Sequence, residues 1–121
     1  MSMGNGWIGC DLDGTLAFYD TWQDDPCSIG APIPVMVERV RGWIRRGYEV
    51  RIVTARINVD NAAIRALTTI AIENWTEKYI GYRLAVTCEK DYHMLELYDD
   101  RAVQVEENTG RLIGRSTRGL A

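Results

Sequence analysis

The run GWIGCDL is followed by the triplet DGT, so two aspartates, Asp11 and Asp13, stand two residues apart where an apolar stretch gives out. A short apolar run of this kind reads as a strand buried in a sheet. Carboxylates are costly to desolvate, so the strand has to surface where they occur. Gly14 permits a sharp turn immediately afterwards, and Thr15 can hydrogen-bond back into it. In an extended strand residues i and i+2 project to the same side. If the strand persists to position 13, the two carboxylates therefore stand together. Like charges a few ångströms apart repel, which is relieved by protonating one of them or by bridging them with a cation. A hard divalent ion with oxygen ligands, such as Mg²⁺, meets that need.

Beyond Thr15 the chain alternates between loop, helix and strand patterns. Residues 17–33 mix aromatics with Asp, Gly and Pro, a long loop of functional character and a candidate flap over the strand end. Pro34 suits a first helical turn, and apolar residues at 36, 37, 40, 43 and 44 give helical spacing that Gly47 closes. YEVRIVT (48–54) is β-rich and alternating, a second strand. A second helix is expected from an N-cap at Asp60 to Tyr79, with Ala63, Leu67, Ile70 and Trp75 near one face and Gly81 as its stop. Residues 84–88, 94–98 and 102–106 read as further strands, 107–114 as a turn with an apolar tail, and 115–121 as frayed. Strand–helix–strand–helix–strand predicts an α/β class, Rossmann-like, with a mainly parallel sheet flanked by helices. Ligands of such sheets bind beyond the carboxyl ends of the strands, where the two aspartates fall.

With 121 residues the chain suffices for one domain and not for two. A net charge of −3 argues against sequence-independent coating of nucleic acid by the whole surface. Cys10, Cys27 and Cys88 are an odd set without CxxC spacing, and His93 is the sole histidine, so a structural zinc is not expected. Cys10 should face the core opposite Asp11, with Trp43, Trp75 and Trp22 as packing anchors. MSMGNG lacks the pattern of a secretory leader, and no apolar stretch reaches the roughly 20 residues of a membrane span. A cytoplasmic protein with reduced thiols and no membrane partner is the expectation.

The motif DLDGTL (11–16) resembles the first signature of the haloacid dehalogenase superfamily of phosphotransferases. RIVTAR (51–56) is similar to its second motif, Lys90 in CEKD to the third, and YDDR (98–101) to the acidic fourth. The matches come in family order. DGTLA, the Thr-x-Arg of 54–56 and DDRAVQV also resemble the phosphatase domain of phage polynucleotide kinase-phosphatases. The resemblance implies a single uncapped domain of that superfamily over residues 1–121. It implies that Asp11 attacks phosphorus to give an aspartyl phosphate, and that Asp13 serves as acid and then base. It further implies Mg²⁺ held by Asp11, the backbone carbonyl of Asp13, and Asp99 or Asp100, with Asp100 favoured as the direct ligand. Thr54 and Lys90 would hold phosphoryl oxygens, while Arg56 would fork onto a substrate phosphate or position the flap.

Between CEKD and YDDR lies only DYHMLELY, although a parallel crossover ordinarily takes about a dozen residues. Either the crossover is reduced to a turn or the third strand lies elsewhere. With no room for a cap, the strand end is open to a bulky substrate or closed by a partner subunit, including a second copy of the chain. The expected function is Mg²⁺-dependent phosphomonoester hydrolysis. By resemblance, nucleotides or nucleic-acid 3′-phosphate ends are the favoured substrates, and small phosphorylated metabolites stay open. The alternative from another class is a catalytically silent phosphate-binding or regulatory module on the same scaffold. A third reading is an assembly partner that closes the active site of a larger complex.

Overall fold

The computed structural model describes residues 6–20 and 24–114; Trp22 and the 115–121 tail lie outside the described residues. The opening apolar run forms β1 (Trp7–Asp11), buried throughout until Asp11. Helix α1 (Pro34–Arg45) starts with its proline in the first turn and buries Met36, Val37, Val40 and Trp43, one continuous stripe. Strand β2 (Glu49–Val53) follows, then a 3₁₀ turn (Ala55–Ile57) capped by the Thr54 hydroxyl, which accepts from the Arg56 N–H. Helix α2 covers Ala62–Ile80 and ends on Gly81 at φ +95°, whose N–H bonds back to the carbonyls of Thr76 and Glu77. Strands β3 (Ala85–Thr87) and β4 (Met94–Tyr98) complete a four-stranded parallel sheet of order β3-β2-β1-β4. No helix among the described residues is long and apolar enough to cross a membrane.

Three expectations need correction. The N-cap of α2 is Asn61, whose side chain accepts from the Ile64 N–H at 3.0 Å, not Asp60. The buried stripe of α2 is Thr68, Ile72, Trp75, Thr76 and Ile80, while Leu67 and Ile70 are exposed. This helix is apolar on several sides, so periodicity had little to select, and two threonines occupy the buried stripe. One of them serves a connection: Thr76 Oγ1 accepts from the Leu84 N–H at 3.1 Å and donates to the Glu73 carbonyl. Third, residues 102–106 add no strand to the parallel sheet. Only β5 (Gln104–Val105) forms, in a separate antiparallel hairpin with β6 (Leu112–Ile113).

Ile8, Cys10, Val50 and Ile52 point to one face of the sheet, where they join the core residues of both helices. Trp7 points to the other face and is still 1% exposed. The chain between β3 and β4 covers it. Those strands are opposite edges of the sheet, so residues 88–93 must cross β2 and β1 while returning to the sheet's other end. Three strand spacings and a five-residue strand together demand about 20 Å. Seven fully extended steps would supply at most about 23–25 Å, and the turn that bonds the Met94 N–H to the Asp91 carbonyl shortens that reach. The crossover is therefore a taut strap with no slack for a helix, and the third strand lies where the sequence places it. Asp91 fastens the strap: its Oδ1 accepts from the Trp7 indole N–H at 2.8 Å. Its Oδ2 meets Arg51, whose guanidinium lies 4.4 Å from the Trp7 ring centre.

Candidate active site

The carboxyl ends of β1, β2, β3 and β4 converge on one rim of the sheet. Strand β1 stops at Asp11 because the chain immediately winds into a tight turn. The Leu12 carbonyl accepts from the N–H groups of Leu16 and Ala17 at 3.0 and 2.8 Å, and Leu12 and Leu16 are fully buried. The strand does not persist to position 13, so the two carboxylates are not side by side. They go to different partners.

Asp11 goes to the acidic pair. Strand β4 lies directly beside β1, with Cys10 opposite Tyr98, which brings the residues after each strand together. Asp11, Asp99 and Asp100 each offer a carboxylate oxygen, and these lie within 4.8 Å of one another. Thr15 locks the corner by donating its hydroxyl to Asp100 Oδ1 at 3.2 Å and accepting from the Asp100 N–H at 3.0 Å. Asp99 Oδ1 accepts from the Arg101 N–H at 2.7 Å. Gly14 makes room: at φ +85°, an added Cβ would lie 2.7 Å from Asp100 Oδ2. Burial, then the hydrogen bond to Asp100 and the charges of Asp99 and Asp100, push Asp11 from the ordinary carboxylate value up to about 7; the Leu12 amide opposes them. Three convergent carboxylates form an all-oxygen donor set of the kind that suits a hard divalent cation.

Asp13 goes to Arg56. The guanidinium grips it bidentately, Nε to Oδ2 at 2.7 Å and Nη2 to Oδ1 at 2.8 Å. The same group's Nη1 donates to the carbonyls of Pro26 and Ser28, both at 2.7 Å. The Asp13 carboxylate was expected near the metal residues, and its side chain stands outside their cluster. Arg56 thus bonds the flap directly, one of the two roles open to it, and the substrate-phosphate role stays an expectation. Its position also makes the 24–30 loop part of the site, through backbone carbonyls that carry no signature in the sequence.

Thr54 is buried at the end of β2, its N–H bonded to the Thr87 carbonyl at 2.9 Å. Lys90 is exposed on the strap just past β3, and its ammonium makes no ion pair among the described residues. Cys10 is fully buried, and burial followed by the charge of Asp11 pushes its thiol up to about 12. His93 is exposed on the strap, where its carbonyl accepts from the Trp7 N–H. Trp43 and Trp75 are buried anchors. A cavity of about 290 Å³ opens beside Arg56, lined by Phe18, Tyr19, Asp20, Ser28, Ile29 and Gly30. A larger one of about 530 Å³ lies between α1 and β4, among Trp43, Arg46, Tyr48 and Glu96. No member of the acidic cluster lines either cavity; the smaller one borders Arg56, the partner of Asp13.

Thr15 was expected to bond within its own turn and instead reaches a residue 85 positions away. The DGT triplet was visible, but not the partner that its hydroxyl and its glycine serve. No protein-family model matches the chain, and neither does any curated protein sequence.

Proposed function

We propose that the chain is a divalent-metal-dependent phosphomonoesterase of the haloacid dehalogenase type, which works through a phosphorylated Asp11. The observation that carries this reading is the convergence of Asp11 with Asp99 and Asp100 at the end of β1, beside Thr54 at the end of β2. A Mg²⁺ ion held by Asp11, Asp99 and Asp100 would supply the positive charge that keeps Asp11 ionised and offsets charge on the transferring phosphoryl group. Asp11 Oδ attacks phosphorus while the ester P–O bond breaks, and the leaving oxygen takes a proton from Asp13. The Asp13 carboxylate then removes a proton from water, whose oxygen attacks the acyl phosphate. Inorganic phosphate leaves, and the Asp11 carboxylate and protonated Asp13 are restored. Thr54 and Lys90 serve the phosphoryl oxygens as donors. Nucleotides and nucleic-acid 3′-phosphate ends are the substrates favoured by resemblance.

The test is phosphate release from p-nitrophenyl phosphate and from an oligonucleotide 3′-phosphate, for wild type and Asp11→Asn, with Mg²⁺ and with chelator. Turnover by wild type with Mg²⁺ alone, abolished by the substitution, is the expected result. Equal, metal-independent turnover by both proteins would overturn the mechanism.

A further inference from the structure

We infer that Arg56 is a positioning residue: it fixes the carboxyl of Asp13 and ties it to the 26–28 limb of the loop, so that the seating of that loop governs proton delivery to the leaving group. The inference rests on the phosphomonoesterase reading above and adds a component to it.

Arg56 enters from the 3₁₀ turn after β2, where Thr54 Oγ1 holds its backbone N–H at 3.2 Å. Its side chain is 5% exposed. Among the described residues its N–H groups make bonds of 2.7–2.8 Å to both Asp13 oxygens and to the carbonyls of Pro26 and Ser28. Three segments far apart in sequence thus meet at one rigid planar group, and charge-assisted forks of this kind fix direction as well as distance. The loop limb cannot drift, because it is fastened beyond the contact as well. The Trp75 indole N–H donates to the Gly30 carbonyl at 3.1 Å, and the Phe18 N–H donates to the Ala31 carbonyl at 2.8 Å. Gly30 itself abuts the Phe18 carbonyl, which a Cβ would strike. An arginine serving as a phosphate clamp would turn its fork toward Asp11. This one turns it toward Asp13 and the loop.

The consequence is specific to one event. When the ester P–O bond breaks and the Asp11–phosphorus bond forms, the departing oxygen needs the proton of Asp13 only if it is a poor leaving group. A p-nitrophenolate departs without it, and an alkoxide does not. Because kcat/KM covers steps up to the first irreversible one, it reports this departure and not the later attack of water.

The experiment compares kcat/KM for p-nitrophenyl phosphate and for an alkyl phosphate monoester in wild type, Arg56→Lys and Arg56→Gln, with Mg²⁺ present. General acid catalysis contributes about 10²–10⁴-fold, so the glutamine variant should lose about 10²-fold on the alkyl ester and only severalfold on the aryl ester. The lysine variant, which keeps the charge and loses the fork, should show the same contrast and guards against a folding defect in the other. Asp13→Asn combined with Arg56→Gln should be no slower on the alkyl ester than Asp13→Asn alone. Equal losses on both esters, a rise in KM with kcat unchanged, or additive losses in the double variant would overturn the role and leave the phosphatase reading standing. No turnover of either ester by wild type would bring down that reading, and this inference with it.

Discussion

A side chain at position 14 would have to adopt a backbone φ of +85° and would place its Cβ 2.7 Å from Asp100 Oδ2. Both penalties act at the site itself. Gly14→Ala should lose about 1–3 kcal/mol of stability from the strained conformation. It should also push Asp100 out of the corner that Thr15 holds. Urea unfolding and a Mg²⁺ titration check the two effects separately, and weakened ion binding is expected even where the variant remains folded. At the same scale the site was half legible. Asp11, Asp99 and Asp100 stand at strand ends that the apolar patterns reveal, and adjacent parallel strands brought them together. The destination of Asp13 was hidden, because whether a strand stops at 11 or at 13 depends on the burial of Leu12 and Leu16 and the three N–H groups that gather on the Leu12 carbonyl. Those are tertiary facts, and alternation alone carries no record of them.

At the scale of elements, α2 shows how polar groups in a buried stripe differ in consequence. Thr76 is spent on the turn into β3, since its hydroxyl accepts from the Leu84 N–H. Thr68 is fully buried, and its hydroxyl has no hydrogen-bond partner among the described residues. Thr68→Val should therefore stabilise the protein by about 1 kcal/mol, the cost of an unpaired buried hydroxyl being removed at nearly constant shape. Thr76→Val should instead destabilise it by about 1–3 kcal/mol, because a buried N–H is left without an acceptor. Denaturant midpoints of the two variants, moving in opposite directions, are the measurement. Helix α1 was legible because its apolar stripe is single: Met36, Val37, Val40 and Trp43 are buried as expected, and Ile44 is half-buried. The face of α2 was not, since the exposed Leu67 and Ile70 are as apolar as the buried Ile72. The strap from β3 to β4 was legible only as a shortage of residues. Its route across the sheet is set by strand order, which no local pattern encodes.

At the scale of the whole molecule, the acidic rim links stability to pH and to divalent ions. Without a cation, Asp11 titrates at about 7 in the folded chain against an ordinary 3.8. Between those values the folded state binds a proton that the unfolded state has released. The contribution of this group is thus full below about pH 4 and declines as pH rises to about 7. A divalent ion competes with that proton, so Mg²⁺ should raise the melting temperature more at about pH 8 than at about pH 5. A Mg²⁺ effect that is equal at both values would contradict the cluster as its binding site. The central claim is chemical: the aspartate that ends β1 captures the phosphoryl group. Acid-quenching the protein during turnover of p-nitrophenyl phosphate with Mg²⁺, followed by peptide mass spectrometry, tests it most directly. The account predicts a phosphoryl group on Asp11, absent in chelator. Turnover that leaves Asp11 unmodified, or a phosphoryl group on another residue, would contradict it.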